Sequence, residues 1–228
     1  MGQYDDDKEL VVDTCRRLVG KGFLIGTGGN VSVRAAGSRA FAITPSNYDY
    51  MKMSPADICI LGPDLVSLEG EMKPSIESSM HGAIYETRPD ASVVIHTHQI
   101  YASTFALINQ PIPALYDEQV RFLGRSVEIV DYAPSGTSFL KKAIVSKLRN
   151  HANAYILKNH GTLCLGDSAE RTIFNVELLE KCALTYLLAL CTEKKVSKIP
   201  LPIREIIFAK LRKDQKLAED RRQPPTIN

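Results

Sequence analysis

The sequence predicts an α/β domain in which a mixed or antiparallel sheet is covered by helices on both faces. Three observations lead there. Apolar residues at helical spacing alternate along the chain with short β-branched runs. Two of those runs, Val31–Arg34 and Ala40–Thr44, are separated by a Gly37-Ser38 turn and should pair as a hairpin. Finally, 228 residues without an internal repeat or a low-complexity linker suffice for one substantial core. The reading is one domain over 1–228, with 194–228 a helical C-terminal tail.

In order, Leu10, Val11, Thr14, Leu18 and Val19 predict a first helix from Lys8 to about Lys21, ended by Gly20 and Gly22. Gly26-Thr27-Gly28-Gly29-Asn30 is a loop opening into the hairpin. Pro45-Ser46-Asn47-Tyr48 is a turn cluster, Pro55-Ala56-Asp57 a short helical piece, and Ile58–Leu61 a strand. Pro74-Ser75 starts a helix with Ser75 as N-cap and Glu77 in its first turn, stopping before Pro89. The strand Val93 to His98 follows, then a helix over Tyr101–Ile108 broken by Pro111-Ile112-Pro113. A strand over Val127–Tyr132 leads to Pro134-Ser135-Gly136, and Thr137 caps a helix ending near Asn150. Ala154–Gly161 reads as a strand ending in His160, with Thr162–Leu165 its neighbour. Ser168–Cys191 is the longest helix, and the tail is amphipathic around Ile203–Leu217.

Composition narrows the function. A net charge of +2 gives no electrostatic reason for nucleic-acid binding. The basic residues from Lys194 to Arg222 are interleaved with Glu205, Asp214, Glu219 and Asp220, as on a solvated helix face. The five cysteines lack Cys-x-x-Cys spacing and mostly sit in apolar segments, as small buried hydrophobes do. The first residues are acidic where a signal peptide is basic, and Asp6 stands where a myristoylation signal needs Ser or Thr. Apolar runs such as Ala183–Cys191 are too short to span a bilayer. A cytoplasmic protein without membrane contact is expected.

The chemistry centres on histidine. His96 and His98 lie one residue apart on a strand, so both imidazoles point to one face and can share a metal ion. His160 is a third strand-end histidine, and three imidazoles with an open position make a catalytic zinc pattern. Cys164, four residues beyond His160, would instead close a structural site, although Gly161 should interrupt that strand. Glu77 is the candidate catalytic carboxylate; the helix dipole alone would also favour an acid there. His81 shares its helix face and is either an alternative ligand or structural, and His151 belongs to a solvated turn. The Gly26–Asn30 loop reads as an anion cradle or a simple tight turn. It is neither a dinucleotide fingerprint nor a P-loop, and no Gly-x-Ser-x-Gly elbow exists.

Together, Gly26-Thr27-Gly28-Gly29-Asn30-Val31-Ser32, Ile43-Thr44-Pro45-Ser46, Pro74-Ser75-Ile76-Glu77, His96-Thr97-His98 and Asn159-His160-Gly161 resemble, in order, the motifs of the class II aldolase/adducin family. The resemblance covers the chain from the first helix through the long helix. It implies a three-layer α/β/α sandwich around a mostly antiparallel sheet, assembled as a homotetramer with active sites between subunits. It implies zinc on His96, His98 and His160, with manganese or cobalt acceptable to the same ligands. Glu77 would be the acid/base and, at rest, a fourth ligand; Thr27, Gly28, Asn30, Ser46 and Ser75 would hold a substrate phosphate. The implied reaction is reversible cleavage of a ketose phosphate, such as fuculose 1-phosphate, into a dihydroxyacetone-phosphate-type fragment and an aldehyde. Metal would stabilise the enediolate, while Glu77, its pKa raised by burial, moves a proton on and off carbon.

The chain also departs from the family pattern. Ile76 replaces a second phosphate-binding serine and Asn47 a glycine, so a thinner clamp or a non-phosphorylated substrate is implied. The residue offered to a neighbouring subunit falls within Leu115-Tyr116-Asp117-Glu118-Gln119. The competing readings are a sugar-phosphate 4-epimerase, a sugar-acid decarboxylase using Arg121 or Arg125, and a non-enzymatic adducin-like scaffold. Family epimerases carry Asp at the position of Glu77, and adducin heads lack the zinc histidines retained here.

Overall fold

A computed structural model of the chain describes residues 2–222. The last part of the expected tail, 223–228, lies outside them. The centre is an eight-stranded sheet of β1 (Asn30–Arg34), β2 (Phe41–Ile43), β3 (Cys59–Leu61), β4 (Ser67–Glu69), β5 (Val93–Thr97), β6 (Glu128–Val130), β7 (Ala154–Leu157) and β8 (Gly161–Gly166). Across the sheet the order is β4-β3-β2-β1-β5-β8-β7-β6. Neighbours are antiparallel apart from β6 and β7. The expected hairpin is there, with Ser32 opposite Ile43 and Arg34 opposite Phe41.

Alternation along these strands separates two cores. Val31, Val33, Val93, Ile95, Ala154 and Ile156 face one side, packed beneath α1 (Asp5–Gly20), α3 (Ile100–Ile108) and α6 (Ala169–Leu190). Phe41, Ile43, Val94, Tyr155, Leu163 and Leu165 face the other, beneath α2 (Ser78–Thr87) and α5 (Ser138–Leu148). This is a three-layer α/β/α arrangement. Each fully buried Ile, Leu or Phe contributes about 1.5–3 kcal/mol.

The short α4 (Asp117–Phe122) and the terminal α7 (Leu201–Asp220) share a small third core of Ala114, Val120, Phe208 and Leu211. A polar knot fastens α7 to the body. Buried Arg88 pairs bidentately with Asp90 and donates to Asn153 Oδ1, which also accepts from Gln215 of α7 at 2.8 Å.

Several expectations need correction. The second helix starts at Ser78, with Glu77 at its N-cap position, because Ser75 and Ile76 belong to a turn in which Ser78 N–H donates to Ser75 O. Gly161 begins β8 rather than interrupting a strand; β7 stops at Leu157, and His160 rides the turn between them. Asn159 makes that turn by adopting φ +54°. The edge strand β4 and the helix α4 were not expected. β4 is exposed throughout and only three residues long, and α4 follows a proline-rich break, so each has too few residues for a periodic signal.

Candidate active site

Strand order builds the site. β1 lies beside β5 with Asn30 opposite His96, and β8 flanks β5 on its other side with Thr97 opposite Thr162. The β7–β8 turn therefore carries His160 to the end of β5, where His98 has just left the strand. One ligating nitrogen from each of His96, His98 and His160 lies within 4.8 Å of the others. This close approach excludes side chains: a Cβ on Gly161 would lie 2.5 Å from Thr97 O and 2.7 Å from His98 Cδ2. Gly29, at φ +82°, is similarly pressed, with its Cβ position 2.5 Å from His96 O.

The ring orientations suit a cation. His96 Nδ1 donates to Thr162 O at 2.8 Å, which leaves Nε2 as a lone-pair donor. His96 Nε2 and His98 Nε2 stand 3.1 Å apart. A tetrahedral zinc with bonds of 2.0–2.1 Å wants its nitrogens about 3.3 Å apart. Burial lowers the His96 pKa to about 4, and burial also pushes His98 down, so both imidazoles are neutral near pH 7. Neutral imidazole is the ligating form.

Glu77 reaches this cluster from the α2 layer. Its Oε2 is 3.4 Å from His96 Nε2, and its Oε1 is 3.4 Å from His160 Nε2. Oε2 accepts from Asn30 Nδ2 at 2.8 Å, whereas buried Oε1 has no protein partner. Three converging imidazoles and an orphaned carboxylate oxygen are the donor set a divalent cation fits. Burial alone raises the Glu77 carboxyl, as the sequence led us to expect. His96 and the Asn30 hydrogen bond outweigh it and hold the group below the ordinary carboxylate range.

These groups open on a cleft of about 250 Å³ that Thr27, Gly28, Asn30, Ser46 and Ser75 also line. An isolated bridge between Pro45 and Pro74 braces two loops, with Ser46 N–H donating to Lys73 O and Ser75 N–H to Thr44 O. That brace brings the hydroxyls of Ser46 and Ser75 to the same cleft. Gly28 N–H is spent on Ile25 O, so Gly28 supplies room: a Cβ would sit 3.1 Å from His98 Nδ1. Ile76 and Asn47 are lining residues too, and no lysine or arginine is.

Other candidates lie elsewhere. Cys164 is buried in the apolar core beneath α1, α3 and α6, away from the imidazoles, which removes the closed-site alternative. His81 is fully buried and hydrogen-bonded rather than grouped with the three ligands. His151 is half-buried at φ +58°, less solvated than expected. Arg121 pairs with Asp214, and Arg125 pairs with Glu205 and stacks on Phe208. Both point to α7 and leave a sugar-acid substrate without a clamp. Tyr116 precedes α4 on the surface.

One lining residue was missed. Ser135 Oγ lies 3.4 Å from His160 Nε2. Its turn follows β6, which runs parallel to β7 and so ends on the side of the sheet that carries His160. The Pro-Ser-Gly signal was legible; the parallel pairing was not.

Known proteins resemble this chain over most of its length. Residues 9–187 match the model of the class II aldolase and adducin N-terminal domain. The 5-deoxy-D-ribulose 1-phosphate aldolase of Bacillus thuringiensis is 32% identical over 79% of this chain and 84% of its own. The L-fuculose phosphate aldolase of Methanocaldococcus jannaschii is 34% identical over 82% of this chain and 99% of its own. A solved L-fuculose 1-phosphate aldolase superposes with a TM-score of 0.85 at 31% identity, over 91% of this chain and 96% of that one. Among the described residues no helix is long and apolar enough to cross a membrane. The chain belongs to the class II aldolase and adducin family, and it is an enzyme of that family, an aldehyde-lyase.

Proposed function

We propose that the protein is a zinc-dependent aldolase that reversibly cleaves a ketose 1-phosphate of the fuculose 1-phosphate kind. The products would be a dihydroxyacetone-phosphate-type fragment and an aldehyde. The observation that carries this reading is the meeting of three converging imidazoles with the unpartnered Oε1 of Glu77 at one end of the cleft. His96, His98 and His160 would hold the ion. When bound, the ion supplies Lewis-acid stabilisation of the negative charge that builds as the carbon–carbon bond breaks.

In the synthetic direction the Glu77 carboxylate takes a proton from the carbon of the ketose fragment at Oε1. In cleavage the proton that Oε1 returns to that carbon is balanced by the one the ketose hydroxyl loses as its carbon–carbon bond breaks. Asn30 keeps the other oxygen occupied, so the proton is handled at one defined atom. Thr27, Ser46 and Ser75 hydroxyls, with the remaining N–H of Asn30, hold the phosphate in the room Gly28 leaves. Several neutral donors converging on one group can share a phosphate's charge among its oxygens without a lysine or arginine. The names of the two curated relatives, both acting on ketose phosphates, support this substrate class.

We further propose a single domain, a cytoplasmic setting and a homotetramer in which a neighbouring subunit completes each site. Ile25 and Ile100, both more than two-thirds exposed, flank the glycine loop and the His98 turn and suit such a contact. Incubation of the zinc-loaded protein with L-fuculose 1-phosphate and with 5-deoxy-D-ribulose 1-phosphate tests the activity. Release of dihydroxyacetone phosphate and an aldehyde is expected. Carbon dioxide release from an oxo acid, with neither ketose cleaved, would sink the proposal.

A further inference from the structure

Behind Asn30, the proposed chemistry leaves unused three buried polar side chains, Ser32, His81 and Tyr85, in a run that ends on Glu77. Glu77, His81 and Tyr85 lie four residues apart on one side of the α2 segment, and Asn30 and Ser32 lie two apart on one face of β1. The two sets interdigitate. Asn30 bridges Glu77 Oε2, at 2.8 Å from its Nδ2, and His81 Nε2, at 2.6 Å from its Oδ1. Ser32 Oγ bridges His81 Nδ1 at 2.6 Å and Tyr85 Oη at 2.7 Å. None of the five residues is more than 5% exposed, so water cannot stand in for a missing partner.

While Glu77 is ionised, only one polarity satisfies this chain. A carboxylate accepts and never donates, so Asn30 must turn its NH₂ to Glu77 and its carbonyl to His81. His81 Nε2 must then carry the proton, and Nδ1 must accept from Ser32. Ser32, its proton given to His81, accepts from Tyr85. Only the neutral imidazole can donate at one nitrogen and accept at the other, and burial, pushing the His81 pKa down to about 3, keeps it in that form.

We infer that His81 is a positioning residue for the reaction: its Nε2–H locks the Asn30 amide in the orientation that fixes Glu77 Oε2 and leaves Oε1 to face substrate. Without that donor the Asn30 amide can rotate and turn its carbonyl against the carboxylate. His81 touches no substrate and acts through Asn30. The inference rests on Glu77 as the proton carrier.

The test compares His81→Gln, whose amide nitrogen falls near the place of Nε2, with His81→Asn, whose amide falls near Nδ1. Zinc-loaded enzyme is mixed with dihydroxyacetone phosphate in D₂O, and exchange at the carbon next to the carbonyl is followed by NMR. His81→Gln should stay within about fivefold of wild type, whereas His81→Asn should lose about 30-fold or more in kcat with KM changed by less than about threefold. In an Asn30→Ala background the step to His81→Asn should cost less than about threefold more.

Equal rates for the two variants, or full multiplication of the losses with Asn30→Ala, would overturn the inference. If neither variant folds, the ¹⁵N shifts of wild-type His81 decide: an Nε2-protonated imidazole supports it and an Nδ1-protonated one refutes it. The two readings fail differently. Wild type that neither exchanges nor cleaves refutes the aldolase and takes His81 with it. Active wild type, inactive Glu77→Gln and indistinguishable His81 variants refute His81 alone.

Discussion

Gly161→Ala probes how tightly the ligand cluster is built. The added methyl would stand 2.5 Å from Thr97 O, 2.7 Å from His98 Cδ2 and 3.2 Å from His96 Cε1. An ordinary contact begins at 3.4 Å, so the start of β8 and the end of β5 must part by about 0.9 Å. Neither side yields cheaply. Thr97 pairs with Thr162 in the ladder, and their hydroxyls meet at 2.9 Å beside Gln99, which is anchored to α6 through Val176 O. Overpacking of this kind costs about 1–3 kcal/mol, which at this chain length lowers the melting temperature by about 2–12 °C. A shift of 0.9 Å is also several times the tolerance of about 0.2 Å on metal–ligand distances. Zinc affinity should therefore fall by about tenfold or more, the size of effect seen when supports of metal ligands are removed. Chelator competition gives the affinity, and thermal melts with and without zinc separate it from folding. Wild-type zinc affinity and melting in Gly161→Ala would refute the reasoning.

Other consequences can be checked on the same protein. Glu77→Gln should keep zinc but lower kcat by about 10²–10⁴-fold, the range for a lost general acid/base, and near wild-type turnover would remove its catalytic role. Metal-free protein should lose stability as pH falls from about 6.5 towards 4. Over that range unfolded histidines take up protons that His96, near 4, and His81, near 3, refuse in the folded state. Above 6.5 both states are deprotonated and the term is flat. Each such proton contributes a slope of about 1.4 kcal/mol per pH unit, and urea unfolding that is flat from pH 7 to 5 would contradict it. Ile76→Ser restores a hydroxyl to the cleft, and one added hydrogen bond should lower KM for a ketose 1-phosphate about three- to tenfold. An unchanged KM would place the phosphate elsewhere.

What could be read in advance followed local rules. Strand alternation was enough to put His96 and His98 on one side, and the core faces of Val93, Val94 and Ile95 follow from the same period. The longer helices were legible from apolar spacing, while the six-residue α4 and the start of α2 were not. Ser75 reads as an N-cap, yet the brace between Pro45 and Pro74 holds Ser75 outside the helix and moves the start to Ser78. His160 was placed on a strand because nothing local shows that Asn159 adopts a positive φ. The chain through Ser32, His81 and Tyr85 could not be read at all, since it depends on α2 docking across β1. Arg121 and Arg125 misled for the same reason: their carboxylate partners lie some 80 or more residues away on α7.

The central claim is that a metal ion held by His96, His98 and His160 is required for carbon–carbon cleavage beside Glu77. Its most direct test is a zinc titration of metal-stripped protein, reading bound metal and ketose 1-phosphate cleavage together in wild type and His160→Ala. Wild type should bind about one ion per chain and regain cleavage in proportion to it, and His160→Ala should do neither. Cleavage by the stripped wild type, or no binding of zinc at all, would contradict the account.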